Sequence, residues 1–127
     1  MPEYAHPDDA GMDLRTPELI VVPAKGSAEV DLRVHVQIQK GYFGKIESKS
    51  GLMFVDTVFA PGGTIDSGYT GSIKVKLLNE SDHSRKFERG DKVAQLIVIP
   101  CEHADLQLVD ELEDTDRGEN GFGSTGK

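Results

Sequence analysis

The chain has 127 residues, with 14 Gly, 6 Pro and a formal net charge of −8, which suits a single turn-rich domain. The negative balance argues against nucleic acid as a partner, and no apolar run approaches the ~20 residues of a membrane span. Met1-Pro2-Glu3-Tyr4 lacks the basic and apolar regions of a secretory signal, and Cys101 is the sole cysteine, so the expected setting is intracellular and cytoplasmic, without an internal disulfide.

In chain order, the first strand candidate is Leu19–Val22, closed by the turn Pro23-Ala24-Lys25-Gly26. The clearest periodic segment follows. Val30, Leu32, Val34, Val36 and Ile38 alternate with Asp31, Arg33, His35, Gln37 and Gln39, so the spacing predicts one strand over Val30–Gln39 with a single buried face. Lys40-Gly41 turns the chain into a short strand at Phe43–Glu47. A helical turn is expected near Ser50–Met53, then a strand at Val55–Phe59 and a turn at Pro61-Gly62-Gly63. Ser72–Leu77 alternates again, with Ile73, Val75 and Leu77 on one side and Lys74 and Lys76 on the other. After the turns Asn79-Glu80-Ser81-Asp82 and Arg89-Gly90-Asp91, Val93–Ile99 is almost continuously apolar. It reads as a strand buried on both faces and ended by Pro100. A last strand is expected at Leu106–Val109. Many short strands with regular turn signals and no long helical pattern indicate an all-β sandwich or barrel.

Charge is unevenly spread. Residues 102–116 hold seven acidic groups and no Lys or Arg. The last residues, Arg117 to Lys127, are rich in glycine and read as a flexible tail. An anionic ligand therefore needs local Lys, Arg or a metal ion. His6, His35, His83 and His103 are scattered, and Cys101 with His103 makes too few ligands for zinc.

Five segments are not ordinary strand or turn filler. They are Ala10-Gly11-Met12-Asp13-Leu14, Ser48-Lys49-Ser50-Gly51-Leu52, Gly63-Thr64-Ile65-Asp66-Ser67-Gly68-Tyr69-Thr70-Gly71, Arg89-Gly90-Asp91-Lys92-Val93-Ala94-Gln95-Leu96, and Arg117-Gly118-Glu119-Asn120-Gly121-Phe122-Gly123-Ser124-Thr125-Gly126. Taken singly, each has a plain structural reading: a turn fixed by Asp13, an exposed Lys49, a hairpin loop at Ile65–Tyr69, a satisfied Gln95, a loose tail. In this order, over nearly the whole chain, they resemble the five motifs of the trimeric dUTPase family.

That resemblance implies a jelly-roll-like β-barrel over residues 1–116 with a flexible glycine-rich C-terminal arm over 117–127, assembled as a homotrimer. It also implies hydrolysis of dUTP to dUMP and pyrophosphate with Mg²⁺ as cofactor, which limits uracil in DNA and supplies dUMP for thymidylate synthesis. Asp66 would order and deprotonate the attacking water. Tyr69 would lie on the deoxyribose and leave no room for a 2′-hydroxyl. The backbone of the Gly63–Tyr69 loop, Gly63 and Ile65 included, would read the uracil edge. Lys49, Ser50, Gly51 and Gln95 would face the phosphates, and Asp13 would hold a water of the Mg²⁺ shell. Arg117 would pair with the γ-phosphate and Phe122 would stack on uracil. Gly123 would offer its backbone N–H to phosphate oxygens, and Ser124 and Thr125 would donate hydrogen bonds to them. Three composite sites follow, with motifs one, two and four from one subunit, the third from another and the fifth from the remaining one.

The sequence departs from the family at Lys49, where relatives usually carry Arg. Lys keeps the charge but not the bidentate fork. The first motif also lies close to Met1, where relatives usually have an additional strand, so either the sheet lacks an edge strand or its start is atypical, and Ser50–Asp66 looks slightly short. A dCTP deaminase of the same superfamily is the nearest rival. The intact Asp66-Ser67-Gly68-Tyr69 speaks against it, and ammonia release would reveal it. A non-catalytic nucleotide- or protein-binding module is the other rival, and it would bind dUTP without releasing pyrophosphate.

Overall fold

The computed structural model describes residues 1–121. Nine strands, β1 Met12–Arg15, β2 Ile20–Val22, β3 Gly26–Asp31, β4 Tyr42–Glu47, β5 Val58–Phe59, β6 Gly63–Ile65, β7 Lys74–Asn79, β8 Arg85–Phe87 and β9 Lys92–Pro100, are interrupted by a single π-helical turn at Leu52–Asp56. All pairings are antiparallel. One sheet runs β1-β9-β4-β6, a second β3-β7-β5, and β2 and β8 form a ribbon. Leu14, Ile46, Val93 and Leu96 of the first sheet meet Val30, Val75 and Leu77 of the second in one core, which Val22 and Phe87 of the ribbon complete. This is the expected all-β, jelly-roll-like architecture.

The core follows from period two. In β7, Val75 and Leu77 are buried and Lys74 and Lys76 exposed. Asn79 at the end of β7 is fully buried yet satisfied. Its Nδ2 donates to the carbonyls of Val22 and His83, and its Oδ1 accepts from Ser81. One side chain thus fixes the turn into β8.

Three expectations need correction. The long strand over Val30–Gln39 stops at Asp31. Arg33 takes a left-handed φ of 55°, and the Asp31 Oδ1 accepts its N–H at 2.9 Å. Leu32 N–H and Val34 C=O then both pair with Ile73, so Arg33 is squeezed out as a bulge. Beyond it, residues 35–39 stay extended with alternating burial but make no ladder among the described residues. The expected strand at Leu106–Val109 is likewise absent among the described residues. Leu106, Leu108 and Leu112 lie almost wholly in solvent, because β9 ends at Pro100 and no strand among the described residues pairs with the segment. Finally, β9 is buried on both faces only at Val93–Ala94, where its register against β1 slips. Val98 is exposed. The helical turn expected near Ser50–Met53 is present and runs on to Asp56, so strand β5 starts at Val58 rather than Val55. The loss of an edge strand is partial, since Glu3 makes a single bridge to Asp13 outside β1.

Candidate active site

Strands β1, β9 and β4 place Asp13 opposite Gln95, and Gln95 opposite Glu47. Residues in register share a sheet face, so these polar groups stand together on the face away from the core leucines. Asp13 does not fix a turn, the plain structural reading, but lies within β1 and is only 2% exposed. Lys49, at the end of β4, donates from Nζ to its Oδ1. Lys92, at the start of β9, completes the ion pair from the other side, its Nζ 2.6 Å from Oδ2. Burial by itself pushes the Asp13 carboxyl up. The hydrogen bonds and charges of Lys49 and Lys92 outweigh that and hold it below its ordinary value of 3.8.

Gln95 donates from Nε2 to the Ser48 carbonyl at 2.9 Å. It lies flat over Gly11, where an added Cβ would fall 2.4 Å from its Oε1. A side chain at position 11 would have to displace this amide. Ser48 in turn locks the following loop, its Oγ donating to Ala60 C=O and accepting from Ala60 N–H, both at 2.9 Å. Ser50 and Gly51 open the helical turn at the surface. The structure therefore brings together Asp13, Lys49 and Gln95 and adds Lys92, which sequence reasoning missed. Its signal was its place in the fourth motif, three residues before Gln95.

The third motif forms a different kind of site. Gly63, Thr64 and Ile65 pair with Ile46, Lys45 and Gly44. The chain then turns at Asp66, with Tyr69 N–H donating to Asp66 C=O at 3.0 Å. This is not a hairpin within the chain, because β6 belongs to the first sheet and β7 to the second. Thr64, Ile65, Asp66, Tyr69, Ser72 and Lys74 line a cavity of about 220 Å³. The Tyr69 ring is 43% exposed. It rests on Gly71, where a Cβ would meet its hydroxyl at 2.4 Å, and it donates to Ser72 C=O at 2.9 Å. A larger groove of about 800 Å³ lies between Phe43, Ser48, Phe59, Pro61 and Thr64 on the other side of β6, away from Asp66.

Register separates the two clusters. Asp66 continues β6 past Gly44, whereas Asp13 and Gln95 sit level with Glu47 at the opposite end of β4. With ~3.3 Å per residue along a strand and ~4.8 Å between strands, they are roughly 15 Å or more apart in one chain. Arg117 lies far along the tail and bonds only locally, Nε donating to Asn120 C=O at 2.9 Å. Phe122, Gly123, Ser124 and Thr125 fall outside the described residues. Among the described residues, no group of three His, Cys, Asp or Glu side chains could hold a metal ion. No helix among the described residues is long and apolar enough to cross a membrane.

A jelly-roll-like sheet pair thus carries a lysine-flanked buried aspartate and, apart from it, an Asp–Tyr turn beside a small cavity. Comparison with known proteins narrows this. The family model of dUTPase matches residues 1–126. The deoxyuridine 5′-triphosphate nucleotidohydrolase of Thermobifida fusca is 45% identical over 99% of this chain and 72% of its own length. That of Alkaliphilus metalliredigens is 42% identical over 99% and 89%. In structure, the Staphylococcus bacteriophage 80alpha dUTPase with dUPNHPP superposes with a TM-score of 0.94 at 30% identity, covering 100% of this chain and 92% of that one. A mutant dUTPase from phage phi11 of S. aureus, which coordinates a structural Mg(II) ion, superposes with a TM-score of 0.83 at 27% identity, covering 90% and 92%. The chain belongs to the dUTPase family.

Proposed function

We propose that the chain performs its family's reaction, hydrolysis of dUTP to dUMP and pyrophosphate, at a site composed from different subunits of a homotrimer. The observation that carries this is the division of the polar residues into two clusters, each half of a nucleotide site. The turn at Asp66 offers a carboxylate and a half-exposed aromatic ring beside a cavity of about 220 Å³, a size for a nucleoside rather than a triphosphate. The Lys49–Gln95 cluster offers cationic and amide donors without an aromatic wall. Neither half suffices alone, and within one chain they stand too far apart to share a triphosphate's α-phosphorus.

In this reading Asp66 orients and deprotonates the water that attacks the α-phosphorus, and pyrophosphate leaves. Tyr69 covers the sugar and excludes a 2′-hydroxyl, while the backbone of Gly63 and Ile65 reads the uracil edge. Lys49, Ser50, Gly51 and Gln95 hold phosphate oxygens, with Lys92 adding positive charge beside them. Arg117, Phe122, Gly123, Ser124 and Thr125 form an arm over 117–127 that closes on the nucleotide, leaving 1–116 as the barrel domain. Asp13 would accept a hydrogen bond from a metal-bound water, and one carboxylate is enough for an ion carried mainly by phosphates. When bound, Mg²⁺ supplies charge that offsets the negative charge growing on the phosphates. Asp13 itself keeps Lys49 and Lys92 in place.

Trimer formation is supported by two unpartnered features. Residues 35–39 alternate in burial but make no ladder among the described residues, and Leu106, Leu108, Val109 and Leu112 are exposed on a segment without regular structure. Apolar surface of this kind calls for a partner chain. An intracellular, cytoplasmic setting fits an unpaired Cys101. Pyrophosphate release measured with dUTP, dTTP, dCTP and UTP tests the proposal. Release from dUTP alone is expected, and comparable release from the others would refute it.

A further inference from the structure

The Tyr69 loop is held by residues that belong to none of the five motifs. Asp31 ends β3, and its Oδ1 accepts a hydrogen bond from Ser72 Oγ as well as from Arg33 N–H. The carbonyl of the same Ser72 accepts the Tyr69 hydroxyl at 2.9 Å. His35, just past the bulge, donates from Nδ1 to Thr70 C=O at 2.8 Å. Arg33 is itself tied down by Glu18 at 2.7 Å. A chain of contacts therefore runs from the β3 bulge through Ser72 and Thr70 to the ring.

The conformation around these contacts has no other evident purpose. A left-handed Arg33 costs about 1 kcal/mol or more and ends the longest alternating segment of the sequence. What it achieves is to aim Asp31 and His35 at successive residues of one loop. The Asp31 carboxyl accordingly lies below its usual range, through the Ser72 hydrogen bond first and the Arg33 N–H second. Residues 69–72 form no strand, so little else fixes the tilt of the ring.

We propose that Asp31 and His35 are positioning residues for sugar selection: by clamping Ser72 and Thr70 they hold the Tyr69 ring flat over the nucleoside cavity and so set the discrimination between deoxyribose and ribose. This inference rests on the reading of Tyr69 given above. A ring free to tilt would admit a 2′-hydroxyl, and misplacement on the ångström scale is enough to change rates strongly.

The test compares kcat/KM for dUTP and UTP in the full-length protein and in Asp31→Ala, Asp31→Asn, Ser72→Ala, His35→Phe and Tyr69→Ala. Asp31→Ala and Ser72→Ala cut the same link from its two ends, and each should lower the dUTP-to-UTP ratio about tenfold, chiefly by raising kcat/KM for UTP. Asp31→Asn keeps the acceptor and should restore the ratio to near that of the unmodified protein. His35→Phe should lower it less, since Ser72 remains clamped. A merely structural role would lower both substrates' values together and leave the ratio unchanged. If Tyr69→Ala lowers the ratio while Asp31→Ala and Ser72→Ala do not, the positioning role is wrong. If Tyr69→Ala also leaves the ratio intact, the ring does not select the sugar and the inference falls with that reading.

Discussion

The two polar clusters are built on opposite principles. Asp13, Lys49, Lys92 and Gln95 are gathered across three hydrogen-bonded strands, and the aspartate is almost fully buried with its charge matched before any ligand arrives. Asp66 and Tyr69 stand on a turn between two sheets, exposed and braced by a few hydrogen bonds. In the proposed reading, the first arrangement holds phosphate-facing groups at the cost of burying an ion pair, which is tolerable only when every partner is present, and the second leaves a base and a ring open for substrate and a second subunit. Rigidity then lies where charge would be held and openness where a nucleoside would enter.

The sharpest way to break the comparison is at the open half. Asp66→Asn should keep the fold and nucleotide binding but lower kcat by ~100-fold or more, the scale of a lost general base. Steady-state turnover beside binding of a non-hydrolysable dUTP analogue separates the two effects, and near-normal turnover would remove Asp66 from the mechanism. Ending the chain at Asp116 should leave thermal stability unchanged, because residues 102–120 are exposed and the Arg117 side chain bonds within its own turn, to Asn120. Yet kcat/KM should fall by about 10–100-fold, the worth of one charge-assisted hydrogen bond to a phosphate. Equal kcat/KM for the full and shortened chains would show the arm to be passive.

The buried half should respond in stability. Asp13→Asn leaves two ammonium groups facing a neutral amide and should cost about 1–3 kcal/mol at neutral pH, less than for a fully enclosed pair because both lysines reach solvent. The pH dependence has a definite sign. A carboxyl whose folded pKa is depressed contributes stability that is fully present above its unfolded value, here about 3.8. That stability is lost as pH falls through the lower folded value. Urea midpoints measured from pH 6 down to pH 2 should therefore drop more steeply for the unmodified protein than for Asp13→Asn. Parallel curves would mean that the ion pair contributes nothing.

The all-β, jelly-roll-like architecture was legible in the sequence, and the roles given to the site residues stay a proposal. The residues of the first four motifs were legible as a set, and the structure gathers Asp13, Lys49 and Gln95 as one cluster and Asp66 and Tyr69 as another. Period two located the cores of β3 and β7, since alternation reports which face is buried. It does not report pairing, and Val30–Gln39 shows the difference: the alternation continues past Asp31 while the ladder stops, because one Asx contact turns Arg33 into a bulge. Strand β8 was missed because Arg85-Lys86-Phe87 buries only Phe87, too short a pattern to register. The roles of Lys92, Asp31 and His35 were hidden for a different reason. Each acts through a partner distant in sequence, and only the register of β9 on β1, or of β3 on β7, reveals the pair.

The central claim, that the halves of one site come from different subunits, is open to a direct measurement. Asp66→Asn chains are mixed with chains carrying Ser50→Ala and Gln95→Ala, unfolded together, refolded, and assayed for dUTP turnover beside each variant refolded alone. If the halves meet across subunits, mixed trimers pair an intact Asp66 with an intact Gln95, and the mixture is predicted to recover activity well above either variant. If each chain carries its whole site, every site in the mixture holds a defect, and turnover no higher than the average of the two variants would contradict the account.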